Sequence, residues 1–74
     1  MKVFIAYADD DVIGVYDSVE KCRLALENEG FIHYPHGHPD QERLALWGAR
    51  WLKEIHAMGR TKWQRGYIGD HEVE

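Results

Sequence analysis

The sequence predicts a single α+β domain, a small antiparallel sheet packed with two helices in the order ββα(β)αβ. Three observations predict it. Two runs rich in β-branched and aromatic residues, "KVFIAY" (2–7) and "VIGVY" (12–16), flank the turn-forming "ADDD" and read as a β-hairpin. "DSVEKCRLALENEG" (17–30) carries both ends of a helix. Farther on, Leu44, Trp47, Trp51, Ile55 and Met58 recur at helical spacing, which predicts a second helix over 39–58.

In the hairpin, Val3, Ile5 and Tyr7 point to one side and Phe4 and Ala6 to the other, and neither face is cleanly polar. A sheet of that kind needs cover on both sides, from helices or from a second copy of the chain. The first helix, over 18–29, is capped by Asp17 or Ser18, takes Glu20 in its first turn and leaves through Gly30; Val19, Cys22 and Leu26 form its inward stripe. Cys22 reads as a small buried hydrophobe. "FIHY" (31–34) fits a short strand, and a loop follows from Pro35. In the second helix Pro39 and Asp40 suit the first turn, Gly48 permits close approach of a neighbouring backbone, and Gly59 ends the helix. A closing strand is expected near 64–69, followed by an acidic tail, 70–74, expected to fray. The expected core is Val3, Ile5, Val15, Val19, Leu26, Leu44, Trp51 and Ile55.

Seventy-four residues make one domain, 1–74, at a size where stability is marginal and no large catalytic cleft fits. The apolar fraction of 45% is enough to offset the entropy of ordering, so the chain should fold. One cysteine closes no intramolecular disulfide, no signal-peptide pattern opens the chain, and no apolar run approaches the ~20 residues that span a bilayer. The expectation is a cytoplasmic protein with no membrane partner. The net charge of −4 hides a division: 1–40 holds three basic and eight acidic residues, 41–66 six basic and two acidic, and 67–74 three acidic. A globally acidic chain makes a poor generic nucleic-acid binder, although one face can still be locally positive.

The order of a short strand, an acidic turn, "VIGVYDSVEKC" running straight into a helix, and a late W-x-x-G-Y (Trp63, Gly66, Tyr67) resembles small uncharacterised phage and prokaryotic proteins built from a β-hairpin, a helix and a closing W-x-x-G-aromatic strand. The match covers 2–28 and 63–68, with 29–62 departing from the pattern like an insertion. The resemblance implies a fold and a phage or mobile-element origin in a bacterial host. It implies no activity.

Four features invite chemistry. "FIHYPHGHPD" places His33, His36, His38 and Asp40 where a folded-back loop could offer them to Zn²⁺ or Ni²⁺, but the common tetrahedral signatures draw ligand pairs from separated elements. A polar connection shaped by Pro35, Gly37 and Pro39 is the favoured reading, with no metal or other cofactor. Asp9, Asp10 and Asp11 lack the ligand spacing of an EF-hand and read as a solvated hairpin tip, or as an acidic projection toward a basic protein groove. On the outer face of the second helix, Leu46 falls between Arg43 and Arg50, as in a contact surface. Basic residues with tryptophans nearby raise nucleic acid, yet Trp47 and Trp51 lie on the stripe expected to face the core. For an enzyme, no phosphate loop and no nucleophile with a base assemble, and Ser18 and Thr61 are better read as cap and loop residues.

The expected function is therefore non-enzymatic: an accessory protein of phage type that occupies a surface on a larger partner, as an inhibitor or modulator of a host or defence protein. Its candidate surfaces are Asp9, Asp10 and Asp11 on the tip and Arg43, Leu46 and Arg50 on the mixed face. The alternatives are a nucleic-acid-binding accessory protein and a protein that sequesters metal or a small molecule through the His33–Asp40 loop. More apolar surface than so short a chain can cover also favours a homodimer.

Overall fold

Lys2–Ala8 (β1) and Asp11–Tyr16 (β2) pair antiparallel, as their β-branched and aromatic residues dictate, in a computed structural model that describes residues 1–73. The register shifts between Ala6 and Tyr7, where Gly14 and Val12 are the successive partners, so Ile13 bulges from β2 and packs against the helix side. Val19–Asn28 forms the helix (α1). The Ser18 side chain caps it by accepting from the Lys21 backbone N–H at 3.3 Å. At its other end Gly30 takes φ of +97°, the Gly30 N–H donates to the Glu27 carbonyl and the Phe31 N–H to the Leu26 carbonyl, each at 3.0 Å. That is a Schellman ending, sealed by contact of Phe31 with Leu26 in the core. Ile32–His33 (β3) is the short strand expected after it.

The second helix does not form, and the two-helix α+β arrangement is corrected to one helix on a five-stranded antiparallel sheet. Residues 34–50 run as successive turns, and Trp51–Ala57 (β4) pairs with Arg60–Glu72 (β5) in a hairpin closed by Met58 and Gly59. Both loop residues have positive φ, 52° and 74°, the requirement of a two-residue type I′ turn. The physical reason for the difference is arithmetic. Trp47, Trp51 and Ile55 are spaced by four, which brings a side chain back to the same face of a strand as well as of a helix. The bland-looking "MG" at 58–59, after them, marks a hairpin that neither Asn-Gly nor Asp-Gly announces.

The strand order is β2-β1-β5-β4-β3. β5 carries the architecture, because its two halves pair with different neighbours: Arg60 to Gly66 with β4, and Gly66 to Glu72 with β1. The sheet is staggered, with overall extents of 45 × 26 × 18 Å. Its two faces are covered at opposite ends. On one face α1 brings Cys22 and Leu26, and the chain leaving it brings Phe31, onto Ala6, Ala8 and Trp51. On the other, the 34–50 segment brings Leu46 and Ala49 onto Leu52, with Tyr34, Leu44 and Trp63 alongside.

Of the expected core, Leu26 and Trp51 are buried, Val3, Ile5, Leu44 and Ile55 are half-buried, and Val15 and Val19 are exposed. The alternation along β1 is as expected but the inward side is reversed. α1 packs on the face of Ala6, Ala8 and Gly66, where small residues let it approach. A Cβ added at Gly66 would lie 3.0 Å from both Leu26 Cδ2 and Phe31 Cδ1. The closing strand outruns its expected 64–69: Asp70 and Glu72 pair with Phe4 and Lys2, and the Val73 N–H donates to the Met1 carbonyl at 2.6 Å. Of the tail expected to fray, Glu74 lies outside the described residues. Among the described residues no helix is long and apolar enough to cross a membrane.

Candidate functional site

The stagger leaves half of one β5 edge without a neighbour. Strand backbone groups alternate in direction, and two contacts fix the phase: the Asp9 N–H donates to the Arg65 carbonyl and the Val73 N–H to the Met1 carbonyl, both at 2.6 Å. Odd residues of β5 thus turn toward β1, and even ones turn the other way. Gly66 meets Trp51 of β4, but β4 begins there, so the backbone N–H and C=O groups of Ile68, Asp70 and Glu72 face outward beyond its end. Unpaired groups of this kind are a template for another strand.

Beside the open edge lies a groove of about 420 Å³, walled by the 47–50 turn on one side and Tyr67 on the other. Trp47 stands in that wall 63% exposed, an uncommon position for so large an apolar side chain. Gly48, at φ of +75°, turns the chain back toward β4 and leaves the Trp47 ring outside. Among the described residues, two cations, Arg50 and Arg65, line the groove, and no carboxylate does. Arg65 is held in place, its Nη2 donating to the Ala45 carbonyl at 2.7 Å while its backbone N–H donates to Asp9 Oδ1 at 3.1 Å. Ala45 adopts φ of +56° as it presents that carbonyl.

The residues singled out from sequence are dispersed. Leu46, expected on an outer face between two arginines, is 4% exposed and belongs to the core under the loop. With no helix beneath them, Arg43 and Arg50 part company: Arg43 pairs with Asp40 at 3.2 Å and borders a separate polar cleft with His38 and Glu54, whereas Arg50 lines the Trp47 groove. Asp9, at φ of +52°, uses its carboxylate to hold β5, and Asp10 and Asp11 stay exposed at the tip.

The histidines of the loop go separate ways. His33 stacks on Trp51 with ring centroids 4.4 Å apart, and His38 lies between Tyr34 and Trp63 while its Nδ1 accepts from the Asp40 N–H at 2.9 Å. His36 is exposed. Among the described residues no three His, Cys, Asp or Glu side chains converge as metal ligands. Cys22 is fully enclosed beneath α1, and that burial pushes its thiol above the ordinary range, away from nucleophilic thiolate.

No protein-family model, curated protein or solved structure matches this chain. The groove was hidden from sequence for two reasons. A free strand edge is a property of register, which composition does not carry. Trp47 shares the four-residue spacing of Trp51 and Ile55, which predicts it on their inward stripe; its one distinguishing signal is Gly48 beside it.

Proposed function

We propose that the chain is a small binding module that acts by contact with a larger protein, taking an extended segment of that partner as an added strand along β5. The observation that carries this reading is the outward-facing backbone at Ile68, Asp70 and Glu72 beside a groove already furnished with Trp47 and two arginines. In strand addition the main chain supplies affinity and the adjoining pockets supply specificity. Here the pocket selects an apolar or aromatic side chain to lie against Trp47 and Tyr67, with a carboxylate nearby for Arg50 and Arg65. The resemblance to phage proteins adds the narrower reading that the partner is a host or defence protein which the chain inhibits or modulates.

Nucleic acid is the second reading from sequence. It is disfavoured by the fate of the aromatics: Trp51 is buried and Trp63 half-buried under the loop, leaving Trp47 as the one tryptophan free to stack on a base.

A displayed library of extended peptides tests the proposal. Selected peptides should share an acidic residue next to an apolar one, and Trp47→Ala and Arg50→Glu should each weaken the best of them by tenfold or more, while Asp10→Lys leaves binding unchanged. Peptides indifferent to both groove substitutions would overturn the assignment. Tight binding to generic DNA with a steep salt dependence would move the function to nucleic acid.

A further inference from the structure

The face of the sheet opposite α1 is covered by the 34–50 segment at the β4 end only. Among the described residues, nothing lies on it over β2, β1 and the second half of β5. The register places Val3, Ile5 and Tyr7 of β1 there, next to Val15 and Val12 of β2 and Tyr67 of β5. Tyr7 and Tyr67, directly opposite one another, stack with centroids 4.6 Å apart. Val12 and Val15 are each 57% exposed and Tyr67 47%. The remaining positions of this half-face, Gly69 and His71, add no fixed charge. Of the nearby ionic groups, Lys2 and Asp70 pair at 3.5 Å on the other face. Arg65, two residues before Tyr67 on this face, reaches the Ala45 carbonyl at 2.7 Å, and Asp9 beside it accepts from the Arg65 backbone N–H at 3.1 Å.

We propose that this apolar half-face, with Arg65 and Asp9 only at its rim, is the contact between two copies of the chain, stacked sheet on sheet. Its size is the first argument. From the exposed fractions, the half-face offers on the order of 400 Å² of apolar surface. One side of a standard interface is about 800 Å², of which roughly 57% is apolar, so the half-face supplies close to the apolar share a stable dimer needs. Charge is the second. Each copy carries net −4, and a contact between like-charged chains forms most readily through the region where charge is sparsest. Geometry is the third, because sheet faces pack on one another about 10 Å apart with strands near −30°, and a two-fold axis makes one patch serve both partners. The groove beside Trp47 meets this half-face at Tyr67 but includes neither Val12 nor Val15, so substitutions at the valines test the dimer and Trp47→Ala tests the groove.

Light scattering coupled to size exclusion, on the full chain from about 1 to 300 µM, reads the result. The expected outcome is a mass that rises to twice that of the chain. Val12→Lys and Val15→Lys should each leave a monomer throughout that range with an unchanged far-ultraviolet spectrum, since both positions are largely exposed in one chain. Val15→Thr keeps the β-branched shape and therefore the strand, and removes one buried methyl per copy. It should weaken the dimer about tenfold even if a lysine variant fails to fold. Trp47→Ala should leave the dimer intact. A monomer at every concentration overturns the proposal, as does a dimer that survives Val12→Lys and Val15→Thr unchanged.

Discussion

Gly66 shows how one residue can govern which side of a sheet a helix occupies. It pairs with Ala8 of β1 on one side and Trp51 of β4 on the other, where the pairings of β5 with its two neighbours overlap. Its missing side chain is the space into which Leu26 and Phe31 descend. The W-x-x-G-Y motif acquires a physical meaning from this: Trp63 and Tyr67 point to the loop side of β5, and Gly66 points to the helix. Leu26 is fully buried, so it has little freedom to move away from an added methyl. Gly66→Ala should therefore cost about 1–3 kcal/mol by overpacking, more than offsetting any gain from reduced chain entropy. Urea unfolding would measure it, and an unchanged midpoint would show that α1 does not depend on this approach.

At the scale of elements, the hairpin, α1 and the short β3 were legible from residues 2 to 33, because each is announced by local chemistry. Alternation, a serine cap and a glycine exit act within a few residues of where they stand. The 34–58 segment was not legible, since its four-residue spacing serves a strand and a helix equally, and what decides between them is pairing with β5, whose partners are remote. The turn of the β4–β5 hairpin is the point at which local sequence is least helpful. Met58 occupies a positive-φ position, fully exposed, with no contact to compensate the backbone conformation. Asparagine tolerates that conformation, and Asn-Gly is the favoured pair of a type I′ turn. Met58→Asn should accordingly stabilise the protein by about 0.5–1 kcal/mol, read as a higher midpoint in thermal unfolding. A destabilised variant would contradict the turn geometry itself. Of the candidate surfaces, the acidic tip was legible as exposed. The groove was not, because it arises where β4 stops and β5 continues.

The molecule as a whole is held by two small half-cores on opposite faces and opposite ends of one sheet, an arrangement that raises the question of whether it unfolds as one unit. Each half-core alone is slight: the buried residues are Ala6, Ala8, Cys22, Leu26, Phe31 and Trp51 on one face, and Leu46, Ala49 and Leu52 on the other. They are joined through shared strands. Trp51 and Leu52 are neighbours on β4 and point to different half-cores, and β5 lines one with Trp63 and contacts the other at Gly66. Loss of either half-core removes the support of a strand that the other requires, so a single cooperative transition is expected. The total stability of a chain this short is roughly 4–11 kcal/mol. Leu52 is 1% exposed, and Leu52→Ala should remove about 2–5 kcal/mol of it. Because Leu52 lies in the loop-side half-core, the informative measurement is made on the other one. Hydrogen exchange of the α1 amides in the Leu52→Ala variant should accelerate by the factor expected from the global loss. If those amides keep their protection while β3 and the 34–50 segment exchange freely, the two half-cores unfold separately and β5 does not couple them.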